Sequence, residues 1–443
     1  MFREWLLDKI LRNVKELIPK SVFDFFAPMY YVTLAYVGAV MYGFPSRSMK
    51  VIGVTGTKGK STTVFLISKI LEAAELATVS QRSGVASIGS LGFKIKDMEW
   101  PNNLKMTMLG RFKLQKFLAE ARNAGCKYVV LEVTSEGIKQ KRHLGIKFDC
   151  AVFTNLHKEH IESHGSFENY YQAKQELFKR TLDIHVINAD DTHTKLFGDF
   201  PAKRKIFYGL EAGDMRASGL KTESKGTSFD IYGTSFSIKL AGRFNVLNCL
   251  AALSVGAMYG IDLPKMKPVL ESIKFIPGRM EFIQKKPFDV VVDYAHTPES
   301  LEQVYQTLRN SKFKIPNSKL ICVLGSAGGG RDKWKRPEFG RIAAEYCDEI
   351  ILTDEDSYDE NPQSIIKDIE NGFSRIGTKN YKLTTILDRR EAIRIALTLA
   401  REGDTVIITG KGSETSMAVA WGKKVPWSDR DVVREALKQQ GES

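Results

Sequence analysis

Residues 50–63, KVIGVTGTKGKSTT, set a short β-branched run directly before a turn rich in glycine, lysine and hydroxyls. Val51, Ile52 and Val54 read as a buried strand, and the residues from Ser61 onward read as a helix over 61–75. A strand, a glycine turn and a helix in that order make a phosphate cradle. Backbone N–H groups point inward, the helix contributes the positive end of its dipole, a lysine reaches the outer phosphates and a hydroxyl holds Mg²⁺. Lys60 and Ser61 fill the last two places, with Thr62 as an alternative hydroxyl and Thr57 and Gly59 on the turn itself. The spacing is not the strict G-x-x-x-x-G-K-[ST], because Val54 stands where that pattern has its first glycine. The stretch therefore predicts a nucleoside triphosphate with Mg²⁺, held by a loop that departs from the commonest type.

The same rhythm runs outward from this loop. KVIGVTG, YVVLEVT, FDCAVFTNL, IHVINAD, VVVDYAH, KLICVLGS, EIILTDED and DTVIITGKG read as strands, with helices over 110–124, 167–180, 245–259, 338–347 and 388–401. Such alternation predicts an α/β chain of parallel, doubly wound sheets, whose ligands sit beyond the carboxyl ends of the strands. A short β-rich insert is expected at 223–240, and the pattern breaks near Gly278–Phe282. The expected layout is a helical, aromatic-rich segment over 1–48, a central ATP-binding domain over 49–280 and a Rossmann-like α/β domain over 281–443. A length of 443 residues suits that number of domains.

Hydrophobic residues form 43% of the chain, enough to fill a core in each domain. A net charge of +13 suits an acidic partner: nucleic acid, anionic lipid or a polyanionic small substrate. The basic residues are dispersed and no zinc-finger or RNP-like signature is present, which argues against nucleic acid. Cys126, Cys150, Cys249, Cys322 and Cys347 stand far apart and read as buried thiols in a reducing compartment, not as disulfides or a zinc site. No cleavable leader is evident. Residues 21–44, SVFDFFAPMYYVTLAYVGAVMYGF, have the length of a membrane span but carry Asp24 and Pro28. The preceding MFREWLLDKILRNVKELI has apolar residues at helical spacing with lysine and arginine opposite, resembling an interfacial helix. A helical hairpin packed on the next domain, or a dimer contact, fits the same pattern.

Residues 153–180, FTNLHKEHIESHGSFENYYQAKQELFKR, follow a strand and carry His157, His160 and His164 at near-helical spacing before Lys174. A transition-metal site is one reading. Mg²⁺, which prefers oxygen ligands and few protein contacts, agrees with the phosphate loop. One histidine is then expected near the metal and the other two in solvent.

Taken in order, TGTKGKST, LEVTSEGIKQKR, FTNLHKEHIESHGSFENYYQAKQELF, INADD, GRFNVLNCLAAL, PGRMEFI, VVDYAHTPESL, GGGRDKWKRPEFG and GKGSE resemble the motifs of the Mur ligase family. The likeness is greatest to its UDP-N-acetylmuramoyl-tripeptide synthetase branch and runs from about Lys50 to Gly412. It implies an ATP-dependent acid–amino-acid ligase of peptidoglycan synthesis. Such enzymes turn a carboxylate into an acyl phosphate that an amine attacks, and the protein mainly aligns and neutralises charge. The resemblance implies Lys60 and Ser61 at the β/γ phosphates and a first Mg²⁺, and Glu132 and His160 as ligands of a second. Lys174 matches a lysine that the family carbamylates, for which a depressed amine pKa is the precondition; a plain salt bridge is the alternative. Catalytic roles thus fall to Lys60, Glu132, His160 and Lys174. Asn248 is implied at adenine, Asp293 at ribose and Arg279 near the phosphates, with ordinary helix or linker contacts as the alternatives. Thr107, Thr134, Gln140 and Arg142 are implied for a muramyl-peptide-like acceptor. Arg331, Gly410 and Glu414 are implied for the incoming amino acid.

Two departures stand out. The family's DNPR motif, which marks diaminopimelate users, falls on Glu355–Tyr358, and Tyr358 removes the guanidinium fork for a distal carboxylate. With Asp354, Glu355, Asp356, Asp359 and Glu360 nearby, a cationic amino acid such as lysine or ornithine is expected. Before the first strand, only 48 residues stand where the family has a UDP-binding domain. A lipid-linked acceptor, with peripheral membrane contact through residues 1–44, is one reading of that difference. The resemblance otherwise implies a cytoplasmic monomer acting on small molecules, without nucleic acid. The rivals are an amino-acid polymer synthetase of the cyanophycin or folylpolyglutamate type, and a membrane-associated nucleotide-binding module without ligase activity.

Overall fold

The computed structural model describes residues 20–76, 84–102, 106–223, 226–312, 317–375 and 381–441. The basic amphipathic run before Lys20, read above as an interfacial helix, lies outside the described residues.

Val51, Ile52 and Val54, and beside them Val129, Val130 and Leu131, are buried on both faces of one sheet. That is the pattern of a parallel sheet covered by helices on each side. Among the described residues this sheet has nine strands, running Met98–Trp100, Gly92–Ile95, Val85–Gly89, Tyr128–Glu132, Lys50–Thr55, Cys150–Phe153, Ile184–Asn188, Arg204–Gly209 and Met215–Arg216. Pairing is antiparallel across the first three and parallel from Val85–Gly89 onward. Lys50–Thr55 is flanked by strands that follow it in the chain on both sides. The carboxyl end of this strand is therefore a switch point, where a crevice opens between diverging connections.

Helices Lys60–Leu76 and Arg243–Met258 cover one face through Leu66, Ile67, Ile70, Leu250 and Leu253. Leu114, Phe117 and Leu118 of helix Arg111–Asn123, with Tyr170, Leu177 and Phe178 of helix Phe167–Arg180, cover the other. The expected β-rich insert is an antiparallel sheet of Ser218–Glu223, Gly226–Ile231 and Thr234–Ile238, beginning earlier than its polar sequence suggested. The second α/β sheet runs Glu281–Gln284, Asp289–Val292, Thr405–Ile408, Leu320–Leu324, Glu349–Leu352 and Lys382–Thr385, parallel except at its first strand. The first strand of the second sheet, Glu281–Gln284, begins just after Gly278.

The reading of all five cysteines as thiols is corrected here. Cys322 and Cys347 form a disulfide, while Cys126, Cys150 and Cys249 remain buried thiols. The pair is 25 residues apart, but a strand and the end of the following helix pack together and bring the Cα atoms to 6.2 Å.

Lys20–Met41 is one helix that continues through Pro28. Ala35 and Ala39 are buried, Gly38 lies against Phe112 and Gln115, and the Arg111 guanidinium sits 3.9 Å over the Tyr31 ring. This agrees with packing on the central domain. The outer side is apolar and exposed at Phe25, Met29, Val40 and Met41. No helix among the described residues is long and apolar enough to cross a membrane.

Candidate active site

The loop after Lys50–Thr55 is pressed between two neighbours, which is why it needs glycine. A Cβ on Gly56 would fall 1.9 Å from Thr154 Oγ1, and one on Gly59 would fall 2.3 Å from Asn248 Oδ1. Both glycines have positive φ, at 146° and 79°. Asn155 fixes the loop from the adjacent strand: its carbonyl accepts from Thr57 N and its Oδ1 from Lys58 N, each at 2.8 Å. Helix Lys60–Leu76 then begins at the lysine and hydroxyls predicted to meet phosphate.

Lys60 Nζ donates to Thr57 O at 2.8 Å, and burial pushes its pKa down against the pull of Glu132. Ser61 Oγ donates to Glu132 Oε2 at 2.9 Å, and Ser90 N donates to the same oxygen at 2.9 Å. Lys174 is 2% exposed, donates from Nζ to Gly56 O at 2.7 Å and lies 4.4 Å over the Tyr170 ring. Burial, then the nearby Lys60, holds its amine well below the ordinary lysine range. A neutral amine is the form that carbamylation needs.

These groups surround a cleft of about 720 Å³ that runs from the phosphate loop to the second sheet. The structure brings almost every predicted site residue to it. Thr57, Gly59, Lys60, Ser61, Thr62, Glu132, His160, Asn248, Arg279 and Asp293 line it together with Thr107, Thr134, Gln140, Arg142, Arg331, Glu355, Tyr358, Gly410 and Glu414. Lys174 stands behind the loop instead of on the wall.

The acceptor candidates all line the cleft and each has a partner within the protein. Thr107 Oγ1 is 3.0 Å from Ser90 Oγ, Thr134 caps helix Ser135–Lys139, and Arg142 Nη2 donates to Gln140 Oε1 at 2.7 Å. The nucleotide candidates have structural partners too. Asn248 accepts from Thr63 Oγ1, Asp293 accepts from Met280 N and Ala295 N, and Arg279 lies 4.3 Å over the Tyr294 ring.

The histidine expectation is partly overturned. His157 and His160 precede the short helix Ile161–His164 and do not share one helical face with His164. His164 is buried against Ser135 Oγ and the edge of Tyr170, not solvent-facing. His160 lines the cleft with its pKa lowered to about 4, chiefly by burial, so its imidazole is neutral and able to bind a cation. Among the described residues no three His, Cys, Asp or Glu side chains converge as a ready-made metal cage. A hydroxyl, a carboxylate and one imidazole at a phosphate loop suit Mg²⁺, which takes few protein ligands beside phosphate oxygens.

Sequence reasoning missed Glu159. Its carboxylate sits 3.0 Å from Lys58 Nζ and 3.5 Å from His296 Nε2, so it ties the phosphate loop to the second domain. The signal was present in HKEH and VVDYAH, but only the fold joins them.

On the far wall most of the acidic block is already engaged. Asp356 accepts from Lys411 Nζ at 2.9 Å and from Ala418 N at 2.6 Å, and Glu360 pairs with Arg336 and Lys333. Asp359 accepts from Trp421 N. Glu355 differs: it is buried at the cleft, its pKa is pushed up to about 7 by burial, and a Cβ on Gly410 would lie 2.2 Å from its Oε2. Glu414 accepts from Tyr294 OH at 3.0 Å, and Tyr358, with φ 51°, faces Arg331 electrostatically. The buried Arg389–Asp429 pair holds Thr409 O at 2.7 Å, fixing the turn before Gly410.

The Mur ligase middle domain profile matches residues 54–256, and the Mur ligase, glutamate ligase domain profile matches 278–412. The UDP-N-acetylmuramyl-tripeptide synthetase of Roseiflexus sp. (strain RS-1) is 37% identical over 433 residues, covering 93% of this chain and 82% of that protein. The chain belongs to the Mur ligase family. It is an ATP-dependent amide-bond ligase of peptidoglycan-precursor synthesis. Another relative, the UDP-N-acetylmuramoyl-L-alanyl-D-glutamate–2,6-diaminopimelate ligase of Thermosynechococcus vestitus, is 38% identical and covers 91% of this chain and 80% of its own. A solved structure of a ligase with that description is 32% identical, with a TM-score of 0.59 over 89% of this chain and 79% of that one. Mycobacterium tuberculosis folylpolyglutamate synthase, at 18% identity, shares the fold alone, with a TM-score of 0.66 over 86% of this chain and 92% of that one.

Proposed function

We propose that this Mur ligase joins the carboxylate of a muramyl-peptide-like acceptor to the α-amine of lysine or ornithine through an acyl phosphate. One observation carries the reading: the phosphate loop, the Thr107–Arg142 patch and the Arg331–Glu414 wall open onto a single cleft, so phosphate, acid and amine can meet. The central domain is assigned to 49–280 and the C-terminal domain to 281–443, after the N-terminal segment 1–48.

In this reading Lys60 leaves Thr57 O and donates to an oxygen of the transferring phosphoryl group as negative charge spreads over it. The acceptor carboxylate, oriented by Arg142 and Thr134, attacks phosphorus and ADP departs. The amino acid is held by its carboxylate at Arg331 and its amine at Glu414; the ammonium loses a proton, the resulting amine attacks the acyl carbon, and phosphate leaves as the new amide nitrogen sheds a second proton. Asn248, Asp293 and Arg279 hold adenine, ribose and phosphates. Bound Mg²⁺ supplies neutralisation of the phosphate oxygens, with Ser61 at one site and Glu132, His160 and a carbamate on Lys174 at another.

The choice of amino acid follows from the far wall. Tyr358 offers no fork to a distal carboxylate, while Glu355 regains its charge beside an ammonium. Diaminopimelate, named for the relatives, is the competing substrate. With ATP, Mg²⁺ and UDP-muramyl-dipeptide, phosphate release should be at least about tenfold faster, as kcat/KM, with lysine or ornithine than with diaminopimelate. Faster release with diaminopimelate removes the assignment. Release with ATP alone, equal to that with all substrates, removes the ligase reading of the cleft.

We place the protein in the cytoplasm as a monomer, with peripheral membrane contact through residues 1–44. The exposed apolar side of Lys20–Met41 supports that contact. Removing residues 1–44 should abolish co-sedimentation with anionic phospholipid vesicles; undiminished sedimentation leaves the helix as a packing element.

A further inference from the structure

We infer that Asp332 is a positioning residue, which holds the metal-facing His160 in place only when the C-terminal domain is closed on the central one. His160 has φ 58°, ψ 28°, a left-handed backbone that a residue with a Cβ adopts only where its surroundings enforce it. The enforcing group comes from 172 residues away. Asp332 Oδ2 accepts from His160 N at 2.6 Å, and Oδ1 accepts from Glu162 N at 3.1 Å. The contact is returned: Glu162 Oε1 accepts from Lys333 N at 3.1 Å. Asp332 is 5% exposed, so its charge is spent on these two N–H groups in a site poor in water. Lys158 beside the Trp334 ring, at 5.3 Å, closes the outside of the junction.

The placement gives this latch a purpose. Arg331, the neighbour of Asp332, faces the amino-acid wall of the same cleft. A ligand drawing Arg331 into register carries Asp332 with it, and Asp332 sets the backbone from which the His160 imidazole projects. Amino-acid binding and metal binding are thereby coupled, and the coupling acts equally in both directions. The junction forms in the empty enzyme, and ligands on either wall would hold it closed for a larger share of the time. The inference rests on the reading of Arg331 as the amino-acid clamp and of His160 as a metal ligand, so its test includes a measurement that depends on neither.

The experiment uses the full chain and its Asp332→Asn variant. Amide hydrogen exchange of peptides spanning His160–Glu162 is followed without ligands, and Mn²⁺ is titrated calorimetrically in the presence of a non-hydrolysable ATP analogue, with and without lysine. Losing a charge-assisted bond at each N–H should speed exchange there by about tenfold or more and raise the Mn²⁺ dissociation constant by about tenfold. Affinity for the metal-free analogue should stay the same. Lysine should tighten Mn²⁺ in the parent and not in the variant. Unchanged exchange overturns the latch, and faster exchange with unchanged Mn²⁺ affinity overturns its positioning role. If lysine fails to tighten Mn²⁺ in the parent while the other two shifts appear, the amino-acid half of the inference falls and the latch stands. Glu162→Ala, which loosens the junction from the opposite side, should move exchange and Mn²⁺ affinity in the same sense by a smaller factor. It serves as the deciding variant if Asp332→Asn does not fold.

Discussion

Lys174→Ala should lower turnover about a thousandfold, equivalent to about 4 kcal/mol of lost transition-state stabilisation. The side chain is out of solvent, its Nζ bonded to Gly56 O directly beneath the phosphate loop, and burial, then Lys60, lowers the pKa of its amine well below the ordinary lysine range. A neutral, nucleophilic amine in that position can add CO₂ and so become a carboxylate where cations gather. If it does, small carboxylates such as acetate or formate should recover part of the activity of the alanine variant, because they can enter the vacated space and supply the missing charge. The intact parent protein, handled without acid, should also carry the added mass of one CO₂. A drop without rescue, together with an unmodified mass, would leave Lys174 as an ammonium whose task is to hold the loop through Gly56.

Lys60→Ala should be similarly severe, with turnover down about a thousandfold or more while ATP affinity falls far less. Among the described residues Lys60 hydrogen-bonds its own loop, at Thr57 O, so it has a ready position from which to swing toward phosphate. Its effect is expected in the chemical step, where negative charge spreads over the transferring group, more than in ground-state binding. Lys60→Arg should not restore the rate, since a planar guanidinium cannot reproduce a compact ammonium at the end of a narrow loop. A few-fold loss for the alanine variant would mean that phosphoryl transfer takes place elsewhere in the cleft.

Much of this was legible in the sequence because the relevant signals are local. Strand runs such as KVIGVTG and DTVIITGKG owe their form to β-branched residues in succession, and they appear as parallel strands at Lys50–Thr55 and Thr405–Ile408. The phosphate loop was readable for the same reason, its glycines and hydroxyls being contiguous. The family likeness extended that reading to residues such as Arg142 and Glu414, which the fold brings to the same cleft. What escaped were features made by distant segments. Glu159 acquires its meaning from Lys58 and His296, Asp332 from His160, and Cys322 from Cys347. The acidic block was only partly legible because sequence shows charge but not whether a partner has claimed it; Lys411 claims Asp356, and Arg336 claims Glu360. His164 was misjudged because spacing alone cannot tell a wet helical face from one sealed by Tyr170.

The closeness of Gly410 to Glu355 has a consequence for how this wall discriminates. A carboxyl whose pKa burial raises to about 7 is only partly charged near neutrality, and a positively charged tail would draw it fully into the ionised form. An uncharged guest of similar length would meet no stranded anion. On the proposed reading such impostors would be turned away by shape and by what they fail to gain, while a cationic guest would be rewarded by a charge that its own arrival completes.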